Sequence, residues 1–317
     1  MIYSTHFVII NKKFGDNMFK YTLDNKRYHT LNYYYKQKYG KKVFKVPIDA
    51  HLGCPNKGKC IYCSGDFNNH INDDITNQFE KELKIMLNKW PDAYYIAYLQ
   101  SDTNTYGPIN KLKDIYEKLL SFDNVIGLTI ATRPDTINDE VLNYLIDLNK
   151  RCNLTIELGL QSMHNKTLKL INRGHNLKQF DDCVKKLKQN NIEVVVHIIN
   201  GLPNETEEMM LDTIKHLNKL HIDGIKFHML YVSKGTKLEE LYNNNQIKLL
   251  TKQEYINIVI KQLELLSPEI VIHRITSDPY KKDLIEPTWL LNKRQLINDI
   301  DKEMKKRNTH QGIYYNI

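Results

Sequence analysis

Three cysteines, Cys54, Cys60 and Cys63, lie within one short segment that is rich in Gly, Pro and Asn. Thiolates that converge in such a loop are ligands for a soft metal centre. A structural zinc ion takes four ligands, and either His51 or His70 is available as the fourth. A [4Fe–4S] cluster held by three cysteines would instead leave one iron open to an exogenous ligand, which is a catalytic arrangement. The spacing alone leaves both kinds of centre open.

The remaining composition favours a globular protein of a reducing compartment. The chain has 317 residues and five cysteines, and an odd number with three crowded together argues against disulfides. No stretch approaches the ~20 apolar residues of a membrane-spanning helix, and the N-terminus lacks the features of a secretion signal. We therefore predict a cytoplasmic protein with no membrane partner. Cys152 and Cys183 are predicted to be buried thiols without a role.

The charge balance is compatible with a nucleic-acid partner. The 45 Lys and Arg residues outnumber the 37 Asp and Glu residues, so the net charge is +8. This excess suits a polyanion, and it also suits a Lys-rich solvated surface. Tyrosines interleave with Lys and Arg between residues 27 and 42, a composition that suits single-stranded RNA. The alternative, which we favour, is a helix whose tyrosines pack against the domain.

Short β-rich runs alternate with amphipathic segments along the chain, and these elements must position the cysteines. Strands are predicted at residues 43–48, 94–99, 125–131, 154–158, 194–200 and 224–230. Most are continuous apolar runs, as in a parallel sheet that is covered on its outer face. Most of them lie roughly 30–40 residues apart, the length of one βαβ unit. These repeats predict an α/β fold, a partial (β/α)6 barrel at residues 43–234.

Two short extensions are predicted to flank this barrel. Residues 1–42 form the N-terminal extension, and residues 235–317 form a C-terminal extension that packs on the barrel. The C-terminal extension contains one further predicted strand, at residues 269–276, and a helical tail at residues 293–307. A full eight-stranded barrel would need two more βα units.

The cysteine segment resembles that of the radical S-adenosylmethionine (SAM) enzymes. In that family three cysteines follow the first strand of a β/α barrel, most often as Cys-x3-Cys-x2-Cys with an aromatic residue before the last cysteine. Tyr62 occupies the aromatic position, and the gap between Cys60 and Cys63 matches. The gap between Cys54 and Cys60 is x5. Longer first gaps are typical of relatives of the Elongator catalytic subunit, so the difference points to that branch.

Further motifs narrow the resemblance. Glu157-Leu-Gly-Leu-Gln161-Ser, followed by Arg173-Gly-His175, resembles a signature shared by Elongator-like and coproporphyrinogen-oxidase-like radical SAM enzymes. Further matching segments are residues 100–106, 132–135, 197–206, 226–236 and 272–276. The combined set, from about residue 27 to residue 304, resembles the YhcC/YtqA-type (MnmL-like) bacterial proteins. The resemblance implies a partial radical SAM barrel with short extensions.

The resemblance also implies two cofactors, a [4Fe–4S] cluster and SAM. Cys54, Cys60 and Cys63 would ligate three irons, and the amino and carboxylate groups of SAM would chelate the fourth. The guanidinium of Arg173 suits a bidentate contact with the SAM carboxylate. The other implied SAM-binding residues are Gln100, Glu157, Gln161 and His197.

Two positions depart from the family pattern. His197 lies where some relatives carry an Asp for the SAM ribose; an imidazole can make that hydrogen bond, but it can also be a core histidine. The second strand lacks the Gly-Gly-Glu element that often binds the SAM amino group. Gln100 and Ser101 stand in its place, so the sequence does not identify the amino-group ligand.

The implied activity is tRNA modification. The branch is associated with conversion of the C5 side chain of a wobble uridine from carboxymethylaminomethyl to aminomethyl, which needs an electron donor of the flavodoxin or ferredoxin type. The sequence does not identify the catalytic residue. The substrate-side candidates are Asn104, Lys226, His228, Lys234, His273 and Arg274. The alternatives are a radical SAM enzyme for a small molecule such as a porphyrin precursor, and a non-catalytic iron–sulfur or zinc protein.

Overall fold

The computed structural model describes residues 19–22, 26–64 and 74–316. The strands are β1 (Val43–Ile48), β2 (Tyr94–Leu99), β3 (Val125–Thr132), β4 (Asn153–Gln161), β5 (Glu193–Asn200), β6 (Gly224–Met229), β7 (Val232–Ser233), β8 (Val271–Arg274) and β9 (Leu284–Glu286). The helices are α1 (Leu31–Tyr39), α2 (Ile75–Lys89), α3 (Ile109–Leu120), α4 (Asp139–Arg151), α5 (Asn165–Leu170), α6 (Leu177–Gln189), α7 (Glu207–Lys219), α8 (Lys237–Asn243), α9 (Lys252–Leu265) and α10 (Lys293–Lys306).

Seven strands form a parallel sheet in the order β1-β2-β3-β4-β5-β6-β8. The first six follow each other in sequence with helices between them, so that each βα unit adds one strand to the same edge. This arrangement confirms the predicted α/β partial barrel. β8 lies beside β6 and within residues 269–276, where a further strand is predicted. β7 and β9 pair in a small antiparallel sheet.

Side-chain caps define where several of the covering helices begin. Asp74 accepts hydrogen bonds from the first turn of α2, and Asn138 caps α4 in the same way. Asn176 and Thr251 form capping boxes at α6 and α9. A cap of this kind stabilises a helix by about 1 kcal/mol. The apolar faces of these helices then pack on the outer side of the sheet, where Phe180 of α6 is fully buried.

The tyrosine-rich segment near the N-terminus packs against the barrel. Tyr28 and Tyr35 are each only 5% exposed. The Tyr34 hydroxyl donates to Glu193 Oε2 at 2.9 Å, and Lys38 Nζ lies 3.2 Å from the same oxygen. Glu193 begins β5, so α1 lies at the amino ends of the strands. The packing interpretation of this segment is confirmed for the residues that the structure describes.

Over the described ranges, no helix combines the length and the apolar character needed to cross a bilayer.

Candidate active site

A cavity of about 490 Å³ opens at the carboxyl ends of the parallel strands. Loops that follow such strands converge at one end of the barrel, which is where β/α enzymes bind their ligands. The cavity brings together most of the residues that the sequence singles out. Those that line it are Cys54, Cys60, Cys63, Gln100, Glu157, Gln161, Arg173, His197 and Arg274.

The cysteine loop is organised by its own hydrogen bonds. Cys60 and Cys63 are buried and Cys54 is half-buried, and all three carry thiols that are not in disulfides. The backbone N–H groups of Asn56 and Gly58 donate to the sulfurs of Cys54 and Cys63 at 3.4 Å. Asn56 Nδ2 donates to Cys60 Sγ at 3.0 Å. Donors aimed at sulfur stabilise thiolate ligands, so this donor set fits a cluster held by three cysteines.

A zinc site would need a fourth ligand that converges with the thiols. The side chain of His51 is half exposed, and its Nδ1 lies 3.5 Å from Asp49 Oδ1. His70 lies outside the described residues. In the part of the chain that the structure describes, no group of three His, Cys, Asp or Glu side chains is placed to hold a single metal ion. An iron–sulfur cluster takes each thiolate on a different iron, so it needs thiols around a cavity rather than around one point.

Hydrogen bonds tie the cysteine loop to two neighbouring loops. Asn56 Nδ2 also donates to the carbonyl of Asn172 at 2.8 Å. Arg133, which follows β3, donates to the carbonyl of Arg173 at 2.9 Å and contacts both carboxylate oxygens of Asp135 at 2.8 and 2.9 Å. Sequence reasoning gave no role to Asn56 or Arg133. Two features of the sequence could have pointed to these residues. The extra length of the first cysteine gap includes Asn56, and the family match at residues 132–135 includes Arg133.

Arg173 is buried against the end of β4. Its Nη2 donates to the carbonyl of Gly159 at 2.9 Å, and its buried Nε has no hydrogen-bond partner among the described atoms. A Cβ at Gly159 would lie 2.5 Å from Arg173 Nη2 and 2.7 Å from Gln161 Nε2. A side chain at Gly159 would therefore displace both groups. The unpartnered Nε leaves a donor for an anion in the cavity.

Asp102 is a cavity-lining acid that sequence reasoning missed. Its Oδ2 accepts from the backbone N–H of Gly53 at 3.1 Å, while its Oδ1 is buried and unpartnered among the described atoms. Burial raises the pKa of this carboxyl. Gln100 and Ser101, which the sequence indicated at this place, line the same wall. Asp102 is thus the acidic group in the region where the Gly-Gly-Glu element is lacking.

Asn104, a predicted substrate-side residue, lies behind this loop. It is fully buried. Its Nδ2 donates to the carbonyls of Leu99, Ser101 and Ala131 at 2.7 to 2.9 Å. These bonds hold the loop after β2 against the end of β3. In the structure Asn104 therefore positions the cavity wall, and its amide nitrogen is fully used by backbone carbonyls.

A buried polar cluster on the inner wall is centred on Glu157 of β4. Lys45 Nζ donates to Glu157 Oε1 at 3.0 Å. The other oxygen, Oε2, accepts from Tyr98 OH at 2.8 Å, His197 Nε2 at 2.9 Å and Lys226 Nζ at 2.5 Å. The Glu157 side chain has no exposed surface, so these donors must balance its charge. Both oxygens of this predicted SAM ligand are therefore engaged within the protein.

Burial and neighbouring charge determine which of these groups are ionised. Burial opposes ionisation of Glu157, but Lys226 and Lys45 outweigh it and hold the pKa of the carboxyl well below its usual range. Burial lowers the pKa of Lys226 to about 7, and Glu157 limits that shift. Burial, together with the charge of Lys226, lowers the pKa of His197 to about 4. His197 is therefore neutral near pH 7, and because a carboxylate only accepts, its Nε2 carries the proton and its Nδ1 is an acceptor.

The four remaining substrate-side candidates occupy four different environments. His228 lines an adjoining pocket of about 200 Å³, whereas Arg274 lines the main cavity. His273 lies behind the wall, where its Nδ1 is 3.3 Å from Lys45 Nζ. Lys234 is exposed after β7. The sequence also did not single out Lys45 and Tyr98, which belong to the buried cluster around Glu157.

The sequence matches two described families over most of its length. The family described as the Radical SAM superfamily matches residues 50–217. The Radical_SAM C-terminal domain matches residues 222–306. The first match alone covers more than half of the chain.

Individual relatives and a solved structure agree with these matches. The protein YtqA of Bacillus subtilis is 41% identical over 310 residues, which cover 95% of this chain and 96% of YtqA. A tRNA uridine(34) acetyltransferase of Methanocaldococcus infernus is 27% identical over 156 residues, which cover 48% of this chain and 29% of that protein. The N-terminally truncated Elp3 of the same archaeon has a TM-score of 0.67 at 19% identity, covering 86% of this chain and 64% of that chain. The predicted resemblance is confirmed, and the Elp3 structure shows the same fold.

Proposed function

The chain belongs to the radical SAM superfamily, and we propose that it is an enzyme that modifies a wobble uridine of tRNA. The proposed reaction cleaves the bond between the nitrogen and the carboxymethyl carbon of the carboxymethylaminomethyl side chain at C5 of the uridine. That carbon is oxidised by two electrons and hydrolysed, so that aminomethyl stays on the uridine and the two-carbon fragment leaves as glyoxylate. SAM takes up the two electrons and ends as methionine and 5′-deoxyadenosine. The cofactors are those of the superfamily, a [4Fe–4S] cluster and SAM. The observation that carries the radical SAM part of the proposal is one cavity lined by three cysteine thiols, by the guanidinium of Arg173 and by the carboxylate of Asp102. Among the described residues, one nitrogen of that guanidinium and one oxygen of that carboxylate have no hydrogen-bond partner.

The residues at the cysteine end of the cavity fit the two cofactors. When both are bound, the reduced cluster supplies the electron that cleaves the sulfonium of SAM and starts radical chemistry on the substrate. Cys54, Cys60 and Cys63 hold three irons. Arg173 binds the carboxylate of SAM through its free Nε, and Asp102 binds the amino group through its free Oδ1. Contacts to both the α-amino and the α-carboxylate group would orient the methionine part of SAM at the cysteine loop.

The polar residues further into the barrel orient the nucleoside part of SAM. His197 Nε2 is used by Glu157, so the Nδ1 acceptor is the atom that remains for a ribose hydroxyl. Gln100 and Gln161 provide amide groups on facing sides of the cavity. None of these side chains needs to change its protonation state near neutral pH, so they act by positioning.

The tRNA part of the proposal rests on the relatives and on charge. One relative is a tRNA uridine(34) acetyltransferase. The net charge of +8 favours association with a polyanion such as RNA. An electron donor of the flavodoxin or ferredoxin type is the second proposed partner, because the cluster must be reduced before each SAM cleavage.

The test uses the full-length protein, reconstituted anaerobically with iron and sulfide. It is incubated with dithionite, SAM and tRNA from a strain that lacks the enzyme. We expect methionine and 5′-deoxyadenosine to form, and nucleoside mass spectrometry to show carboxymethylaminomethyl replaced by aminomethyl. A variant with all three loop cysteines changed to Ala should lose all of these products. Cys183→Ala is the matched control, since Cys183 is buried in α6 away from the cavity.

The outcomes separate the alternatives. SAM cleavage with unchanged tRNA nucleosides would refute the tRNA substrate and favour a small-molecule substrate such as a porphyrin precursor. Absence of SAM cleavage by a protein that holds its cluster would favour a non-catalytic iron–sulfur protein. A protein that retains zinc rather than iron after reconstitution would contradict the cluster assignment itself.

A further inference from the structure

Three arginines line the cavity, and they differ in what already occupies their donors. Arg133 is committed to Asp135 and to a backbone carbonyl. Arg173 lies at the cysteine end, where SAM is proposed to bind. Arg274, at the end of β8, also lines the cavity, as does Tyr231. It is the guanidinium that neither the loop structure nor the proposed SAM contacts use.

The partner that Arg274 has within the protein is a weak one. Its Nη2 lies 3.8 Å from Asp278 Oδ2, beyond hydrogen-bond distance. Asp278 is itself half exposed, and Lys293 Nζ binds the same oxygen at 2.7 Å. The Arg274 side chain is 28% exposed, so part of it is open to the cavity. A guanidinium in this situation retains donors for a planar anion.

The surroundings of Arg274 on the barrel side carry an excess of positive charge. Lys226 is its register partner in β6. Lys226 and Lys45 face a single carboxylate, that of Glu157. Arg274 and Lys45 both lower the pKa of Lys226, after burial. An added anion beside Arg274 would relieve this excess of positive charge, because it would pair with Arg274, whereas Glu157 pairs with Lys45 and Lys226.

We propose that Arg274 binds the carboxylate of the substrate side chain and so selects a uridine whose C5 substituent ends in that group. This inference rests on the proposed function, and it assigns the group that distinguishes substrate from product. The carboxymethylaminomethyl substituent carries a carboxylate, and the aminomethyl product does not. Arg274 thus retains the substrate and releases the product. A backbone phosphate is the other anion that RNA could offer, and both RNAs in the test below contain phosphates.

Binding is measured with two anticodon stem-loop RNAs that differ only in this side chain, carboxymethylaminomethyl or aminomethyl. We expect the wild-type protein to bind the first at least about tenfold more tightly, the size of one charge-assisted bidentate contact. Arg274→Gln should remove this preference while retaining affinity for the second RNA. Arg274→Lys should keep part of it, since the charge stays and the bidentate geometry is lost. Arg151→Gln, in an exposed ion pair with Glu117 at the end of α4, is the control and should bind like the wild type.

Two results would overturn the inference. One is a preference for the carboxymethylaminomethyl RNA that persists in Arg274→Gln. The other is an equal loss of affinity for both RNAs, because that result would assign Arg274 to a backbone phosphate. Affinity for SAM should be unchanged in Arg274→Gln; a loss would assign the residue to SAM and also refute the inference. Thermal unfolding verifies that each variant is folded. Failure of the proposed function is a separate result: tRNA nucleosides would be unchanged after incubation with the reconstituted wild-type enzyme. The two failures can be distinguished because the binding preference is measured without SAM cleavage.

Discussion

Replacing Glu157 by Gln tests whether the buried cluster is an electrostatic unit. The substitution preserves the shape of the side chain and removes its charge. Glu157 accepts from two ammonium groups, one hydroxyl and one imidazole, and an amide offers them one acceptor oxygen and one NH2 donor. At least one of Lys45 and Lys226 then lies buried without an anionic partner, since the remaining acceptors, Tyr98 OH and His273 Nδ1, carry no charge. We expect the free energy of unfolding to fall by about 3–5 kcal/mol, as when one partner of a buried pair is removed.

The pH dependence of this loss has a defined sign. Lys226 has a pKa lowered to about 7 in the folded protein against an ordinary value of 10.5. Glu157 raises that pKa, so its removal lowers it further. At pH 6 the variant must either keep an uncompensated ammonium or deprotonate it at a cost, whereas at pH 8 the lysine is neutral in the folded state. The deficit in stability should therefore be larger at pH 6 than at pH 8.

Urea denaturation followed by circular dichroism measures these free energies. The double variant Glu157→Gln/Lys226→Met should regain at least half of the loss, because both charges are removed together and Met fills the volume of the lysine stem. Glu140→Gln, on the exposed first turn of α4, is the matched control and should change stability by less than ~1 kcal/mol. A loss below ~1 kcal/mol for Glu157→Gln, or no recovery in the double variant, would refute the reasoning.

Three further predictions concern the cofactor end and pH. Asn56→Ala removes the amide that donates to Cys60 and to the next loop, so iron retained after reconstitution should fall at least about twofold, as quantified by iron and sulfide analysis; unchanged retention would contradict the role. Arg173→Lys should raise the Kd for SAM by about tenfold or more, because Lys has no donor at the position of Nε; equilibrium binding measures it, and an unchanged Kd would reject the assignment. Stability should fall as pH drops from 6.5 towards 4, since His197 has a folded pKa of about 4 and binds its proton more readily when unfolded. Each such histidine contributes about 1.4 kcal/mol per pH unit, and His197→Gln should show a shallower fall in thermal unfolding than the wild type.

The strands were predictable where apolar runs end at polar or turn residues. β1 and β2 begin and end where the sequence predicts them. β4 continues three residues beyond its predicted end at 158, to Gln161. Pairing with β5 persists through Gly159 and Gln161, because a parallel ladder needs only backbone groups and tolerates polar side chains that face a cavity. The glycine at position 159, a residue that weakens a strand, therefore predicted the end of the strand too early.

The site was predictable where its residues are chemically distinctive and close in sequence. The three cysteines meet that condition, whereas Arg173 was singled out through the motif that it forms with Gly174 and His175. All four residues line one cavity. Lys45 and Tyr98 do not, because each lies inside an apolar strand and meets Glu157 only through the closure of the sheet. Asp102 was missed for a different reason. Its role depends on one oxygen that has no partner among the described atoms, and the sequence carries no sign of that.

The ion pair between Glu157 and Lys226 joins the two segments of the chain that match separate sequence families, residues 50–217 and 222–306. A chimera that takes its second segment from a relative must therefore supply a cation opposite Glu157 Oε2, or the buried carboxylate will have one lysine partner, Lys45, in place of two. An exchange of the second segment that retains Lys226 can change the residues around Arg274 without changing the cysteine loop. Recombination could in this way change the substrate of such enzymes while conserving the cofactor end, provided that this one buried pair is inherited intact.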